Sequence, residues 1–339
     1  MPQVSIVIAN WNGKHYLKHC LSSVFNQSYR DFEVVVVDNN STDGSVEFIE
    51  TNYPQCKLVK ADTNLGFACA NNLGIQLAKG EYIATLNNDT IVDRLWLEKL
   101  IAPMIAEPTM GMCASKILFY HTPTIINSTG IVITKAGTAT ERDIFTDATE
   151  ISSYRNYSNT SPFGPCGCAA LYRKKMLDEL DGFDADFFAY LEDVDLAWRA
   201  RWAGWNCAYV PDAIVYHVGT GTGSMHPKLK SYLLARNKVW LILKNYPLRE
   251  LLLHLPLILF YEGLAIVYSV LFRHDYSIIR GKFDALLDLH KILVKRAELA
   301  KRRSAPSAHV FGLFQAPENP YRIYLRQCRY RTAIIGKAQ

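Results

Sequence analysis

The chain has 339 residues, 49% hydrophobic and 20% charged. That is enough apolar material for one large or two modest packed domains, and it excludes disordered and fibrous classes. The formal net charge of +5 is uneven: from Arg280 onward thirteen Lys/Arg stand against four Asp/Glu, so the residues before it are net acidic.

A basic C-terminal stretch favours an anionic partner such as a lipid surface, and no recognisable motif accompanies it to argue for nucleic acid. The eight cysteines lack a CxxC pair and read as reduced thiols of a cytoplasmic protein. Cys166 and Cys168 read as small residues that permit close approach. The opening MPQVSIVIAN has no basic leader and begins as a strand.

Val4 to Ala9 is a continuous β-branched run, and Leu17, Leu21, Val24 and Phe25 then recur at helical spacing. A strand over Phe32 to Asp38, a helix from about Ser45, a short strand around Lys57 to Lys60, a helix from Phe67 to Ala78 and the strand EYIATL follow. This alternation predicts a parallel sheet with helices on both faces and ligands at the carboxyl ends of the strands. Each strand ends in a polar or glycine-rich turn: Asn10 to Gly13, Asp38 to Gly44, Asn64 to Ala68, and Asn87 to Asp89. Neither GxGxxG after the first strand nor GxxxxGK[ST] occurs, which excludes dinucleotide dehydrogenases and P-loop NTPases.

Asp89 can reach a divalent metal from its strand end, or Asp89 or Thr90 can cap a helix starting near Asp93. Asp38 can hold a ribose hydroxyl, accept from a pyrimidine N3–H, or cap the following helix, a role open to Ser41 and Asp43 as well. Residues 91–107 predict an amphipathic helix, MGMCASKILFY and IINSTGIVIT further strands, and 136–160 an irregular polar loop over the acceptor side. Glu192-Asp193-x-Asp195 opens a helix continued by Leu196, Arg199 and Trp202, where the dipole favours acids. Asp195 can pair with Arg199. His217 ends an apolar strand before the glycine-rich GTGTGS. Arg236 matches phosphate geometry or pairs on a helix surface.

Leu251 to Phe272 is long enough to span a bilayer, but His254, Pro256 and Glu262 make a simple span expensive. The expected arrangement is monotopic. This segment and a helix from about Ser277 to Arg303 would lie on the membrane, with Lys295, Arg296, Lys301, Arg302 and Arg303 meeting anionic lipid. A helical hairpin packed on the rest of the chain or at a dimer interface is the alternative.

VSIVIANWNG, VVVVDNNSTDGS, NLGFACANNLG and LNNDT, followed by GCAALYRK, FFAYLEDVDLAWRARWAGW, VYHVGTGT and YLLARNKVWLILKNYP, resemble the family 2 glycosyltransferases of GT-A fold. The likeness covers about residues 3–247 and is greatest to the rhamnosyltransferase-type branch. It implies an α/β fold with a mainly parallel nucleotide-binding sheet flanked by helices. The implied catalytic domain is 1–247, with a nucleotide-sugar half at 1–90 and an acceptor and catalytic half at 91–247. A membrane-associated helical extension at 248–303 and a basic tail at 304–339 would follow.

The resemblance implies that Ala9, Asn10 and Asp38 contact the base and ribose, that Asn64, Gly66 and Asn71 line the nucleotide and diphosphate, and that Asn88, Asp89 and Arg236 complete the donor pocket. Asp89 matches the last carboxylate of the family's DxD motif, whereas Asn87 replaces its first acid. His217 would be the second ligand of Mg²⁺ or Mn²⁺. Inverting transfer needs a carboxylate to take the acceptor proton; similarity assigns it to Asp193, with Glu192 in reserve. The implied donor is dTDP-rhamnose or, next, a UDP-sugar, and the acceptor a hydroxyl of a glycan, lipid-linked, in cell-surface polysaccharide or glycoconjugate synthesis at the inner face of the cell membrane. A homodimer is compatible with this reading. A processive synthase should carry QxxRW, but Trp198 stands at the Gln position before Arg201-Trp202. A non-catalytic sugar-nucleotide-binding protein is the other alternative.

Overall fold

The computed structural model describes residues 1–149, 161–219 and 226–316, together with Asn319, Tyr321, Leu325 and Cys328. The first half runs β1 (Val4–Asn10), α1 (Lys14–Phe25), β2 (Phe32–Asp38), α2 (Ser45–Asn52), β3 (Lys57–Lys60), α3 (Gly66–Leu77) and β4 (Tyr82–Leu86). These four strands pair in parallel in the order β3-β2-β1-β4, as the alternation predicts. Side chains alternate across β1: Ile6 and Ile8 join Leu17, Leu21 and Trp96 on one face, and Val7 joins the cluster of Tyr172 and Trp198 on the other. A strand covered on both faces has few polar positions to spare, hence the mainly apolar run, in which buried Ser5 is satisfied by Glu33. The chain passes out to β2 and β3 on one side of β1 and returns to β4 on the other. The carboxyl ends of β1 and β4 therefore flank a crevice.

The second half adds β5 (Thr90–Val92), α4 (Trp96–Ala106), β6 (Met110–Phe119), β7 (Thr122–Ser128), β8 (Ile131–Ile133), β9 (Ala139–Glu141), β10 (Ala169–Arg173), α5 (Lys174–Glu179), α6 (Glu192–Trp202) and β11 (Asn206–His217). β10 lies antiparallel between β4 and β6, β11 runs parallel to β6, and β5 runs antiparallel to β11. The sheet is thus wholly parallel at its nucleotide-type end and mixed beyond it. Three expectations change here. Residues 91–107 are not one helix, because Thr90–Val92 pairs with the end of β11 and the helix starts only at Trp96. Asp93 Oδ1 accepts the Leu95 amide at 2.9 Å, so neither Asp89 nor Thr90 caps that helix. Within 136–160, β9 pairs with β8, while 150–160 lies outside the described residues.

The chain continues through α7 (Pro227–Asn245), α8 (Leu248–Arg273), α9 (Ser277–Leu287), α10 (Leu289–Arg302) and α11 (Ser307–Gly312). The single helix expected from Ser277 to Arg303 is two, broken at Asp288. Gly281, without a Cβ, lets α9 close onto the Tyr232 carbonyl of α7. Ala285, Ile292, Leu299 and Val310 share one apolar cluster with Trp198 and Trp202. The extension, including the start of the expected tail, therefore packs into the same core as α6. The rest of that tail, 317–339, is described only at the four positions named above.

This packing gives most of the cations expected to meet lipid a partner on the domain. Lys295 pairs with Asp184 and, at 2.6 Å, with Asp186. Arg296 donates to the Leu243 carbonyl, Arg302 pairs with Asp181 at 2.6 Å, and Arg303 donates to the Asn245 carbonyl at 3.0 Å while lying over Trp202. An acidic rim thus engages two of the five cations assigned to lipid, and backbone carbonyls engage two more. Glu262 faces inward to Lys238, at 2.5 Å, and to Lys282. What α8 leaves outside is apolar: Leu252, Leu259, Phe260, Leu264, Leu271 and Phe272 are all exposed. Among the described residues it is the one helix long and apolar enough to cross a membrane, with mean hydropathy 1.9.

Candidate active site

A cavity of about 660 Å³ opens at the carboxyl ends of β1 and β4 and extends from Ala9 and Asn10 to Asp193 and Lys230. An open groove of about 760 Å³, lined by Met1, Asp31, Glu81 and Lys174, lies at the opposite ends of these strands. We place the site in the first, because there the turns identified in the sequence converge.

Asn10 joins three of those turns. Its Nδ2 donates to Asp38 Oδ1 at 2.9 Å and to Ser41 Oγ at 3.1 Å, and its Oδ1 accepts from Asn88 Nδ2 at 2.8 Å. A Cβ at Gly13 would overlap the Asn88 amide. Asn39 ties in the turn after β3, donating to Asn64 Oδ1 at 2.9 Å and accepting the Leu65 amide at 2.8 Å. Gly66 has φ +75°, and a Cβ there would stand 2.5 Å from the Phe188 carbonyl oxygen. Only glycine meets both demands.

Ala9, Asn10, Asn64, Gly66, Asn88 and Asp89 line the cavity. Three residues expected beside them do not. Asp38, 2% exposed, sits behind Asn10 and accepts the Ser41 amide at 2.9 Å. Asn71 turns back into α3 and donates to the Phe67 carbonyl at 2.9 Å. Arg236 donates to the carbonyls of Asp186 and Phe187, at 2.9 and 3.1 Å, and lies 4.3 Å over Trp240. Each is held by partners within the fold. Trp11, Asn39, Asn127, Glu141, Tyr190 and Lys230 line the cavity without having been singled out. Trp11 and Asn39 stand in turns already recognised, whereas the others arrive through tertiary packing.

Asp89 Oδ1 lies 3.2 Å from His217 Nε2, and the other imidazole nitrogen, Nδ1, is 2.9 Å from Asn127 Oδ1. Burial raises the Asp89 carboxyl, but the charge and hydrogen bond of His217, together with backbone amides, hold it below its ordinary value. Burial works against the His217 imidazolium, yet Cys168 and Asp89 push its pKa well up. Cys168 is more than a small packing residue: hydrogen bonding from Cys166 and the charge of His217 draw its thiol down to about 6. The Asp89–His217 pair offers an oxygen and a nitrogen at a separation suited to one cation, with Asn127 orienting the ring from behind. Among the described residues no group of three or more His, Cys, Asp or Glu is arranged to hold a metal. These two residues therefore fit a divalent ion that takes its remaining ligands from a diphosphate and water.

At the far side, Asp193 Oδ2 accepts the Gly167 amide at 2.9 Å and Oδ1 the Val194 amide at 2.8 Å. Burial raises this carboxyl, and the two amides act against that rise. Glu192 is pushed well above its ordinary value by burial and by the charge of Asp193, and its Oε2 has no hydrogen-bond partner. Burial and then the charge of Asp193 raise Glu141 to about 7; it accepts from the Ser128 hydroxyl. Asp195 faces away, bonded to Arg199 at 2.7 Å, Lys244 at 2.9 Å and Asn245 at 3.0 Å. The loop before α6 is strained, with φ of +64°, +68° and +67° at Phe188, Tyr190 and Leu191. Asn237 Nδ2 holds it by reaching the carbonyls of Phe187, Ala189 and Tyr190 at 3.0, 2.9 and 2.7 Å. Strain of this kind persists where surrounding contacts fix it.

A strand-end cavity with a carboxylate–histidine pair at one wall and buried carboxyls at the other defines an α/β protein with its candidate site at the carboxyl ends of the strands. Residues 5–181, just over half of the chain, match the family model described as glycosyl transferase family 2, and the chain belongs to that family. It is 26% identical over 250 residues to glycosyltransferase AglE of Haloferax volcanii, covering 71% of this chain and 75% of that one. It is 27% identical over 243 residues to N-acetylglucosaminyl-diphospho-decaprenol L-rhamnosyltransferase of Mycobacterium tuberculosis, covering 64% and 77%. The chain spans less than half the length of several other curated relatives it matches, among them 43% of an uncharacterized glycosyltransferase of Haemophilus influenzae that is 37% identical over 108 residues, 31% of this chain. The fold is similar to that of S. aureus TarS 1-349, solved with UDP-GlcNAc, at a TM-score of 0.57 and 18% identity over 99% of this chain and 89% of that one. It is also similar to that of the mannosyltransferase PcManGT of Pyrobaculum calidifontis, solved with GDP-Man and Mn²⁺, at a TM-score of 0.53 and 18% identity over 99% and 86%.

Proposed function

We propose that this chain transfers a sugar, with inversion, from a pyrimidine nucleotide-sugar to a hydroxyl of a lipid-linked glycan at the inner face of the cell membrane. dTDP-rhamnose is the first candidate donor and a UDP-sugar the second; the named Mycobacterium tuberculosis relative supports the former order. Residues 1–247 would form the catalytic domain and the extension its membrane-facing side, in keeping with the exposed apolar face of α8.

The observation that carries the reading is the placement of Asp193, whose two oxygens accept backbone amides at the cavity wall. Those amides favour its ionised form, whereas burial and the charge of Asp193 push Glu192 well above its ordinary value. Asp193 is therefore the better base. It takes the proton of the acceptor hydroxyl as that oxygen bonds to the anomeric carbon, while the bond from that carbon to the diphosphate oxygen breaks and the nucleoside diphosphate departs with the electron pair. Asp89 and His217 would hold Mg²⁺ or Mn²⁺, which would supply charge neutralisation at the departing diphosphate. Asn10, Asn39, Asn64 and Asn88 shape the donor side with neutral amides, and Asn237 keeps the loop before α6 in position.

The test is the anomeric configuration of the product, read by NMR from a transfer reaction with the donor that binds. The proposal expects configuration opposite to that of the donor; retention would contradict a one-step displacement with Asp193 as base.

A further inference from the structure

We propose that Lys295, on α10 in the C-terminal extension, is a positioning residue for Asp193: through Asp184 and Asp186 it fixes the strained loop that brings the base to the cavity wall. This rests on the glycosyl-transfer reading and adds to it a residue from outside 1–247. The extension is then part of the catalytic unit, not only its membrane-facing side.

The loop begins at Asp184 and enters α6 at Glu192. Phe188, Ala189, Tyr190 and Leu191 line the cavity together with Glu192 and Asp193. Phe188, Tyr190 and Leu191 hold positive φ without being glycine, a conformation that persists only where neighbours over-determine it. On the cavity side that restraint falls on backbone. Asn237 holds three carbonyls, and the Phe188 carbonyl accepts the Ala68 amide at 3.1 Å.

The start of the loop is held by charge. Asp184 accepts the Asp186 amide at 3.2 Å and so opens the single turn Ala185–Phe187. From α10, Lys295 Nζ reaches both acids, pairing with Asp184 Oδ1 and, at 2.6 Å, with Asp186 Oδ2. The other Asp184 oxygen meets Lys244 at 2.6 Å, and Lys244 meets Asp195 at 2.9 Å. Lys295, Asp184, Lys244 and Asp195 therefore form a chain of alternating charge from α10 to the first turn of α6, ending two residues from Asp193. Asp184, Lys244 and Asp195 are buried, so solvent screens their interactions little. Removing Lys295 leaves Asp184 and Asp186 short of a cation where the loop starts. The strained residues beyond them are then free to relax, and Asp193 moves with them.

The other contacts of α10 do not reach this loop. Arg302 pairs with Asp181 at 2.6 Å and donates to the Glu179 carbonyl at 3.1 Å, which docks the helix before the loop begins. Arg296 donates to the Leu243 carbonyl near the end of α7. Arg302 thus offers a comparison in which the extension loosens while the loop keeps its charges.

Lys295→Ala, Lys295→Arg, Asp186→Asn and Arg302→Ala are compared in the full chain by two readouts. One is hydrogen exchange by mass spectrometry over residues 184–195 without donor. The other is slow turnover of the pyrimidine nucleotide-sugar that stabilises the wild type. Lys295→Ala should exchange faster in this segment, and its kcat should fall by about 10- to 100-fold. Its KM for the donor should be unchanged, because Asn10 with Asn88, and Asn39 with Asn64, are held by hydrogen bonds outside the loop. Lys295→Arg keeps the charge and should recover most of both readouts. Asp186→Asn should act in the same direction as Lys295→Ala, and the double variant should be little worse than Lys295→Ala alone, since both changes break one contact. Arg302→Ala should match the wild type in both. Unchanged exchange and kcat in Lys295→Ala, or equal effects of Lys295→Ala and Arg302→Ala, overturn the proposal. So does faster exchange spread over the whole chain, which marks a general loss of stability. If the wild type turns over no pyrimidine nucleotide-sugar the transferase reading fails, while exchange in the loop still decides whether Lys295 holds it.

Discussion

The Gly167 amide donates to Asp193 Oδ2 at 2.9 Å, joining the approach to β10 to the first turn of α6. The Val194 amide holds the other oxygen from within the helix. Asp193→Asn keeps the size of the side chain but removes the base. Transfer should fall by about 10²–10⁴-fold, with donor stabilisation retained. Glu192→Gln should cost far less, because burial and the charge of Asp193 push the Glu192 carboxyl well above its ordinary value and make it the poorer base. Steady-state rates and thermal shifts on both variants check this.

Asn237 reaches three carbonyls of the strained loop that leads into α6. In Asn237→Ala the half-buried carbonyls of Ala189 and Tyr190 lose this donor, while Arg236 still reaches that of Phe187; the cost is about 1–3 kcal/mol for a buried group left unsatisfied. The loop then gains freedom next to the proposed base. Denaturant unfolding should show the loss in stability, and kcat should fall further than that loss accounts for.

Lys244 is buried between Asp184, at 2.6 Å, and Asp195, at 2.9 Å. Lys244→Ala leaves two buried carboxylates short of a cation and should cost about 3–5 kcal/mol. Burial raises both carboxyls, but Lys244, with Lys295 at Asp184 and Arg199 at Asp195, holds them below their ordinary values. Groups depressed in this way stabilise the fold above the unfolded carboxylate range and lose that contribution as pH falls. The wild type should therefore lose stability on acidification below about pH 4, and Lys244→Ala should lose less. Chemical denaturation across that range measures the difference.

Glu141 has the opposite sign. Burial and Asp193 raise it from 4.5 to about 7, so it contributes stability at low pH that is lost as pH rises through that interval. Glu141→Gln removes the titration. Relative to the wild type, the variant should gain about 1–3 kcal/mol in stability between about pH 5 and pH 8. A constant difference across that range would show that Glu141 titrates normally.

The nucleotide-type half was legible because its information is local. β1, β2 and β4 are buried on both faces and are therefore mainly apolar, and each ends in a turn whose amides and glycines are dictated by neighbouring backbone. Asn10, Asn64, Gly66 and Asn88 follow from that pattern. The rest depends on contacts distant in sequence. Asp38 looks like a ligand residue in its turn, but Asn10 and Ser41 occupy it. Glu141 comes from a three-residue strand with little periodicity, and only the pairing of β8 with β9 places it near Asp193. The run of positive charge after Arg280 was visible, but not that Asp181, Asp184 and Asp186 would engage it. Composition counts charges without locating their partners.

The most direct measurement is a donor screen on the purified full chain, following thermal stabilisation and slow turnover of UDP- and dTDP-sugars with and without Mg²⁺ or Mn²⁺, for the wild type and Asp193→Asn. Stabilisation reports binding through mass action. The account predicts that one pyrimidine-diphosphate sugar stabilises both proteins when metal is present and is consumed by the wild type alone. If no pyrimidine nucleotide-sugar stabilises the chain, or if Asp193→Asn turns the donor over as fast as the wild type, the account is contradicted.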